Sequence, residues 1–231
     1  MRQGVSAAIA AALLTAAPAA ALLPAPLRST PAIESTPTPA PSDGRVPVGL
    51  RLADTIAMED GSHPPAATEM RFDLDRHFRL DLTDIRACKE LKGRQSGRDT
   101  SPCEGFEEVA RGAIEVETLL PEQPPVTVAG NAVAYKIGSR TLVVWAYLPA
   151  PVTGALLVPV RIGSKSDGPY GPRLTFAIPK IAGGAGSLTH LSLRFRKGPF
   201  SLACPDGRLQ SRVYGSFADG SVASTATLRT C

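Results

Sequence analysis

Apolar and polar side chains alternate with a two-residue period along much of this chain, and this pattern constrains the fold more than any other feature. From Phe72 to Leu82 the even-numbered positions are apolar except Arg76, and the odd-numbered positions are polar. Such alternation places one face of a β-strand on a core and the other in water. We therefore predict a half-buried strand here rather than a helix.

The same period recurs in the second half of the chain, in runs that include Leu156 to Ile162, Leu174 to Ile178 and Leu191 to Phe195. Asp-Gly pairs separate strand-like runs, and this dipeptide tolerates the positive φ that tight hairpins require. The pairs are Asp167-Gly168, Asp206-Gly207 and Asp219-Gly220. Many short strands joined by hairpins predict an all-β fold, an antiparallel β-sandwich or barrel-like domain. Helix is expected only in short pieces, around residues 85–92 or 104–110.

The stretch from Leu142 to Val160 carries no charge and so imitates a membrane span. Its interior argues against one, because it contains Pro149, Pro151 and Gly154, each of which weakens a helix. Val, Trp and Tyr are enriched before Pro149, as is typical of strands. We interpret the stretch as two buried strands joined by a turn.

The amino-terminal residues predict export. Residues 1–21 combine a lone Arg2, an uncharged apolar run and small residues, the pattern of a cleaved signal peptide, with cleavage favoured after Ala21. Residues 22–47 are rich in Pro, Thr and Ala and predict a disordered linker. Residues 48–231 are then a single β-rich extracellular domain. The protein is expected to be secreted or associated with the cell envelope.

Four cysteines in an exported chain predict two disulfide bonds, for which three pairings are possible. We favour Cys88 with Cys103 and Cys204 with Cys231, since each closes a loop whose chain entropy is worth roughly 3 kcal/mol. The alternative, a metal or redox site, finds little support because the sequence lacks Cys-x-x-Cys and has only three histidines. No metal or cofactor is predicted.

The charge balance argues against a nucleic-acid binder. The formal net charge is +4, and removing residues 1–21, which contain one arginine and no acid, leaves 24 basic and 21 acidic side chains. A dedicated nucleic-acid protein would carry a larger and more segregated positive charge. Five basic residues could form a patch for an anionic polymer, although strand alternation alone would also expose them: Arg194, Arg196, Lys197, Arg208 and Arg212.

No catalytic residue can be assigned from motifs. The sequence has no Gly-x-Ser-x-Gly, and His63, His77 and His190 stand in unrelated contexts, which favours solvated histidines. A triad assembled in space stays open.

Three acids, Asp73, Asp75 and Asp81, share one strand face and could form a carboxylate pair for glycoside hydrolysis or a calcium site. Pairing with nearby arginines is the simpler interpretation.

Aromatic side chains provide the one ligand-binding hypothesis. Trp145 and Tyr147 fall on one strand face with Tyr135 on the preceding strand, and flat rings in a row stack on sugars. The opposite face of the same strand, from Leu142 to Leu148, is also apolar. A strand buried on both faces is therefore favoured over an open aromatic platform.

From Cys88 onward, the order of cysteines, turns and strands resembles uncharacterised exported proteins of GC-rich actinobacteria. The segments that carry the resemblance are Cys103, Ala110-Arg111-Gly112, Leu120-Pro121, His190-Leu191-Ser192-Leu193, Cys204-Pro205, Phe217-Ala218-Asp219-Gly220 and Cys231. The resemblance implies secretion and a β-rich fold and transfers no activity. The high ratio of arginine to lysine agrees with a GC-rich genome.

These observations favour a secreted, non-enzymatic domain with a binding or structural role, whose partner is a cell-surface glycan or another envelope protein. The alternative is a secreted hydrolase acting on a polysaccharide or an ester.

Overall fold

The computed structural model describes residues 25–36, 44–89, 103, 105–164 and 168–231. The predicted signal peptide lies outside the described residues. Twelve strands account for most of the described residues. They are β1 (Leu27–Thr36), β2 (Val46–Met58), β3 (Ala67–Asp75), β4 (Phe78–Leu80), β5 (Ala110–Thr118), β6 (Val126–Gly138), β7 (Thr141–Leu148), β8 (Gly154–Ser164), β9 (Tyr170–Ala177), β10 (Gly186–Leu202), β11 (Arg208–Phe217) and β12 (Val222–Thr230).

All of these strands belong to one antiparallel sheet in the order β1-β2-β10-β5-β6-β7-β8-β9-β3-β11-β12, with β4 on β10. The sheet curls until its two edge strands meet. Thr225 on β12 donates to the carbonyl of Ser29 on β1 at 2.9 Å, and Arg229 donates to the carbonyl of Ile33. The predicted all-β, barrel-like domain is confirmed. Its seam is joined by side-chain donors rather than by a backbone ladder.

The interior of this ring is filled by the apolar half of each alternating strand. Phe72 on β3 meets Phe176 on β9 edge to face, with ring centroids 5.5 Å apart. Phe200 contacts Phe195 and Phe78 in the same manner. Edge-to-face packing lets aromatic rings fill a core without stacking their negative faces. The large buried side chains therefore form a continuous packed core rather than a lumen.

The predicted strands over Leu156–Ile162 and Leu191–Phe195 are confirmed as parts of β8 and β10. The uncharged stretch forms β7 and β8 with a turn between them, as predicted. Gly207 and Gly220 have φ values of 64° and 85°, so both described Asp-Gly turns use the left-handed conformation. Asp167 lies outside the described residues.

Both favoured disulfides, Cys88–Cys103 and Cys204–Cys231, are confirmed. Disulfide bonds are typical of proteins that fold in an oxidising compartment. The described residues contain no helix with the length and apolar character needed to cross a membrane.

The structure differs from the sequence prediction in three places. Residues Leu27–Thr36, inside the predicted linker, form β1, because Ile33 is buried opposite Leu52 of β2. The expected strand from Phe72 to Leu82 breaks at the turn 76–77, where Arg76 interrupts the apolar positions. The predicted helix over 104–110 is wrong, since β5 begins at Ala110; the other, over 85–92, falls partly outside the described residues.

Candidate functional site

Three arginines form a row across neighbouring strands of the sheet. Arg51 on β2 and Arg111 on β5 each pair directly with Arg194 on β10. Directly paired residues point to the same face of a sheet, on strands about 4.8 Å apart. Like charges in this position destabilise a sheet. The row therefore works against folding and suggests a role in binding.

An open cavity of about 1020 Å³ lies over this row, between β1, β2, β10 and β5. Leu50 and Phe195 border it from the core side and are each 1% exposed. We call it the cationic groove and define it by its charged residues Glu34, Arg51, Glu108, Arg111, Arg194, Arg196 and Lys197. Five basic and two acidic side chains give the groove an excess of positive charge.

Two features of the backbone shape the groove. At Gly112 a Cβ atom would lie 1.7 Å from the carbonyl oxygen of Ser192, so β5 and β10 approach closely only because this residue has no side chain. On the other side, the pairing of β10 with β2 is interrupted between Phe195 and Phe200. Gly198 has a φ of 122° within this interruption, a conformation that favours glycine. The interruption carries Arg196 and Lys197.

The acids of the groove form ion pairs with some of its basic side chains and not with others. The ion pairs are Arg51–Glu34, Arg111–Glu108 and, at the border, Arg196–Glu107. Arg194 and Lys197 make no ion pair with any residue in the described part of the chain. Exposed ion pairs contribute about 1 kcal/mol or less. An anionic ligand can therefore compete for the paired arginines and bind the unpaired cations directly.

The structure brings together part of the basic patch suggested by the sequence. Arg194, Arg196 and Lys197 line the groove, whereas Arg208 is exposed on β11 and Arg212 pairs with Asp73. Sequence reasoning missed Arg51 and Arg111. A signal was present, since an arginine stands between two apolar or small residues in Leu50-Arg51-Leu52, Ala110-Arg111-Gly112 and Leu193-Arg194-Phe195.

The aromatic side chains suggested as a binding platform lie mainly in the interior. Trp145 is 5% exposed and Tyr135 3% exposed. Tyr135 packs in a small second cluster with the Cys88–Cys103 disulfide, while Trp145 stacks on Tyr147 with ring centroids 6.3 Å apart. This burial leaves little ring surface for a sugar.

The three acids of the predicted strand have separate partners. Asp73 lies between Arg173 and Arg212, Asp75 contacts His77 at 2.8 Å, and Asp81 accepts from the hydroxyl of Thr83. The described residues hold no group of three or more side chains suited to a metal ion. The pairing of Asp73 with arginine fits the simpler interpretation of these acids.

A serine, a histidine and an acid meet at the opposite end of β10 from the groove. The Oγ atom of Ser187 lies 3.0 Å from Nε2 of His63, and Nδ1 of His63 lies 2.5 Å from Oε1 of Glu117. Ser187 and Glu117 face each other across β10 and β5, and the connection between β2 and β3 carries His63. This is the order of contacts found in a nucleophilic triad.

The direction of the serine hydrogen bond gives this cluster a different role. The hydroxyl of Ser187 donates to the carbonyl of Pro64 at 2.6 Å, because a carbonyl can only accept. The serine proton therefore points to Pro64 and not to Nε2 of His63. A histidine that acts as the base of a triad must accept that proton. The contacts therefore fasten the loop to the sheet.

No family model, no curated protein and no solved structure matches this chain.

Proposed function

We propose that this protein is a secreted or envelope-associated, non-enzymatic binding domain whose cationic groove binds an anionic cell-surface glycan. The observation that carries the proposal is the arginine row of Arg51, Arg194 and Arg111, placed in an open cavity and only partly matched by acids. The two disulfides and the predicted signal peptide support the extracellular assignment.

The shape and chemistry of the groove favour a polymer with spaced negative charges. Neighbouring arginines of the row lie about one strand spacing apart, and planar guanidinium groups bind carboxylates through two parallel hydrogen bonds. The methylene stems of the arginines add apolar surface against which the carbon face of a sugar ring can pack. A glycan that carries carboxylates satisfies both parts of this lining.

The proposal predicts saturable binding of polygalacturonate, a carboxylate glycan, measured by isothermal titration at low salt. Neutral dextran of similar length should not bind. Arg194→Gln is expected to weaken the affinity for polygalacturonate about tenfold, the effect of losing one charge-assisted contact of about 1.4 kcal/mol. High salt should weaken binding by the wild type because exposed charges are screened.

Arg208→Gln is the matched control, since it removes the same charge from an exposed position on β11. The control should bind as the wild type does. Arg194→Gln should fold at least as stably as the wild type. The substitution removes the repulsion between Arg194 and the two arginines opposite it on β2 and β5. Equal loss of affinity in both variants, or equal binding of dextran and polygalacturonate, would contradict the groove as the site.

The alternative function, a hydrolase, is favoured by one observation, the contacts of Ser187 with His63 and of His63 with Glu117. Ser187 is only 1% exposed and its proton is committed to Pro64. We therefore expect a fluorophosphonate ester to leave Ser187 unmodified in the folded protein, as measured by intact mass. Stoichiometric labelling that Ser187→Ala abolishes would instead establish a reactive serine and favour the hydrolase.

A further inference from the structure

We propose a second anion site, independent of the cationic groove, that binds a compact oxyanion such as a phosphate or sulfate group. A cavity of about 560 Å³ opens where the β3–β4 turn, the β6–β7 turn and the start of β9 meet. Arg76, Arg79 and Arg140 line it, and we call it the arginine mouth. Among the described residues that line it there is no carboxylate.

The charges of these arginines are poorly neutralised within the described part of the chain. Arg79 donates to two backbone carbonyls, those of Arg76 at 2.8 Å and Phe78 at 3.0 Å, neither of which carries a full negative charge. Arg140 makes no ion pair with a described residue. Arg76 has a long contact of 3.4 Å to Asp206, and both side chains are largely exposed.

Arg45 lies near Arg79 and experiences the same excess of positive charge. Burial lowers the pKa of Arg45, and the charge of Arg79 lowers it further. Arg45 itself donates to the carbonyl of Ser201 rather than to an acid. The nearby carboxylate of Asp75 is engaged by the backbone N–H groups of His77 and Gln210. Among the described residues, a ligand anion would thus meet little competition at this rim.

The backbone holds two of the arginines in place. The N–H of Arg76 donates to the carbonyl of Pro169 at 2.8 Å, and the carbonyl of Arg140 accepts from Ile162 at 2.9 Å. At Gly171 a Cβ atom would lie 2.9 Å from the Cα atom of Arg76, so the start of β9 packs directly on the β3–β4 turn. These contacts fix the backbone of Arg76 and Arg140, so that both side chains start from defined points at the edge of the cavity.

The mouth differs from the groove in the ligand it suits. The groove spreads its arginines and acids over β1, β2, β10 and β5, as fits an extended polymer. The mouth gathers three guanidinium groups around one opening without an opposing acid among its described lining residues. Several guanidinium groups around one point match the dense charge and multiple acceptor oxygens of phosphate or sulfate.

Titration of the full chain with inorganic phosphate, at constant ionic strength in chloride, tests this site by calorimetry. We expect saturable binding that Arg140→Gln weakens about tenfold. Arg140 is the variant of choice because its side chain makes no polar contact with a described residue, so folding should be preserved. Arg208→Gln on β11 should bind phosphate as the wild type does.

A parallel titration with glycerol phosphate distinguishes the two sources of the group, because the tighter of the two probes identifies free phosphate or a phosphate ester as the natural form. The site is overturned if phosphate acts only as chloride does, or if Arg140→Gln and Arg208→Gln bind it equally well. The groove is tested separately with polygalacturonate, so failure at one site leaves the other unaffected.

Discussion

Replacing Asp73 by asparagine is expected to lower the free energy of unfolding by about 3 kcal/mol, because it leaves two arginines without their carboxylate. Asp73 is 1% exposed and receives Arg173 at 3.1 Å and Arg212 at 2.6 Å. Loss of one partner from a buried ion pair costs about 3 to 5 kcal/mol, and the lower value applies since both arginines are partly exposed.

Thermal unfolding at neutral pH measures this effect, with an expected decrease in Tm of roughly 6 to 12 °C for a domain of this size. Glu69→Gln is the control, as it removes an acid from the same strand and the same face. Equal Tm values for the two variants would contradict the role of Asp73.

The pH dependence of the Asp73 contribution has a definite sign. Burial opposes its ionisation, but the hydrogen bonds and charges of Arg173 and Arg212 outweigh burial and hold the pKa of the carboxyl below its ordinary 3.8. A depressed folded pKa gives stability that is present above pH 3.8 and is lost as the pH falls through the folded value. The difference between wild type and Asp73→Asn should therefore shrink in strong acid.

Replacing Asp54 by asparagine is expected to have the opposite effect and to stabilise the protein above about pH 6. Asp54 shares the core face of β2 with Leu52 and Ile56 and is 2% exposed. Burial raises the pKa of its carboxyl from 3.8 to about 6, although Ser29 donates to both carboxylate oxygens. Ionisation of Asp54 in the core therefore lowers the free energy of unfolding.

The direction in which pH changes the free energy of unfolding at Asp54 follows from the raised pKa of its carboxyl. Below pH 3.8 the group is protonated in both states, so no penalty exists. As the pH rises to about 6, the unfolded chain ionises and the folded chain does not, which lowers the free energy of unfolding. A shift of this size corresponds to about 2 to 3 kcal/mol.

Chemical denaturation of wild type and Asp54→Asn across pH 4 to 8 measures this difference. The variant should exceed the wild type by about 2 to 3 kcal/mol at the upper end of the range and by almost nothing at the lower end. A constant difference at all pH values would mean that packing, and not ionisation, distinguishes the two proteins.

Much of the fold could be predicted because strand alternation is a local property. The runs in β8 and β10 carry their apolar face in their own sequence, and the cysteine pairs close loops that are evident from spacing. β1 could not be predicted in this way. Its Ser, Thr and Pro residues provide little apolar surface, and Ile33 becomes a core residue only when β2 supplies Leu52 beside it.

The candidate sites depended on strand order, which alternation does not specify. Arg194, Arg196 and Lys197 could be grouped because they share one strand, whereas Arg51 and Arg111 join them only because β10 pairs with both β2 and β5. The contact of His63 with Ser187 has the same origin, since these residues are 124 positions apart in the chain.

The seam between β1 and β12 also determines when the sheet can close. Ser29 and Thr225, whose contact joins the two edges, are separated by 196 positions. Contacts between residues so distant in sequence form late and slowly, because a long loop must be ordered before they form. During synthesis, every strand except β12 can therefore be complete while the sheet is still an open ribbon with a bare β1 edge. Closure becomes the final step of folding, and until then that edge is exposed to pairing with other chains.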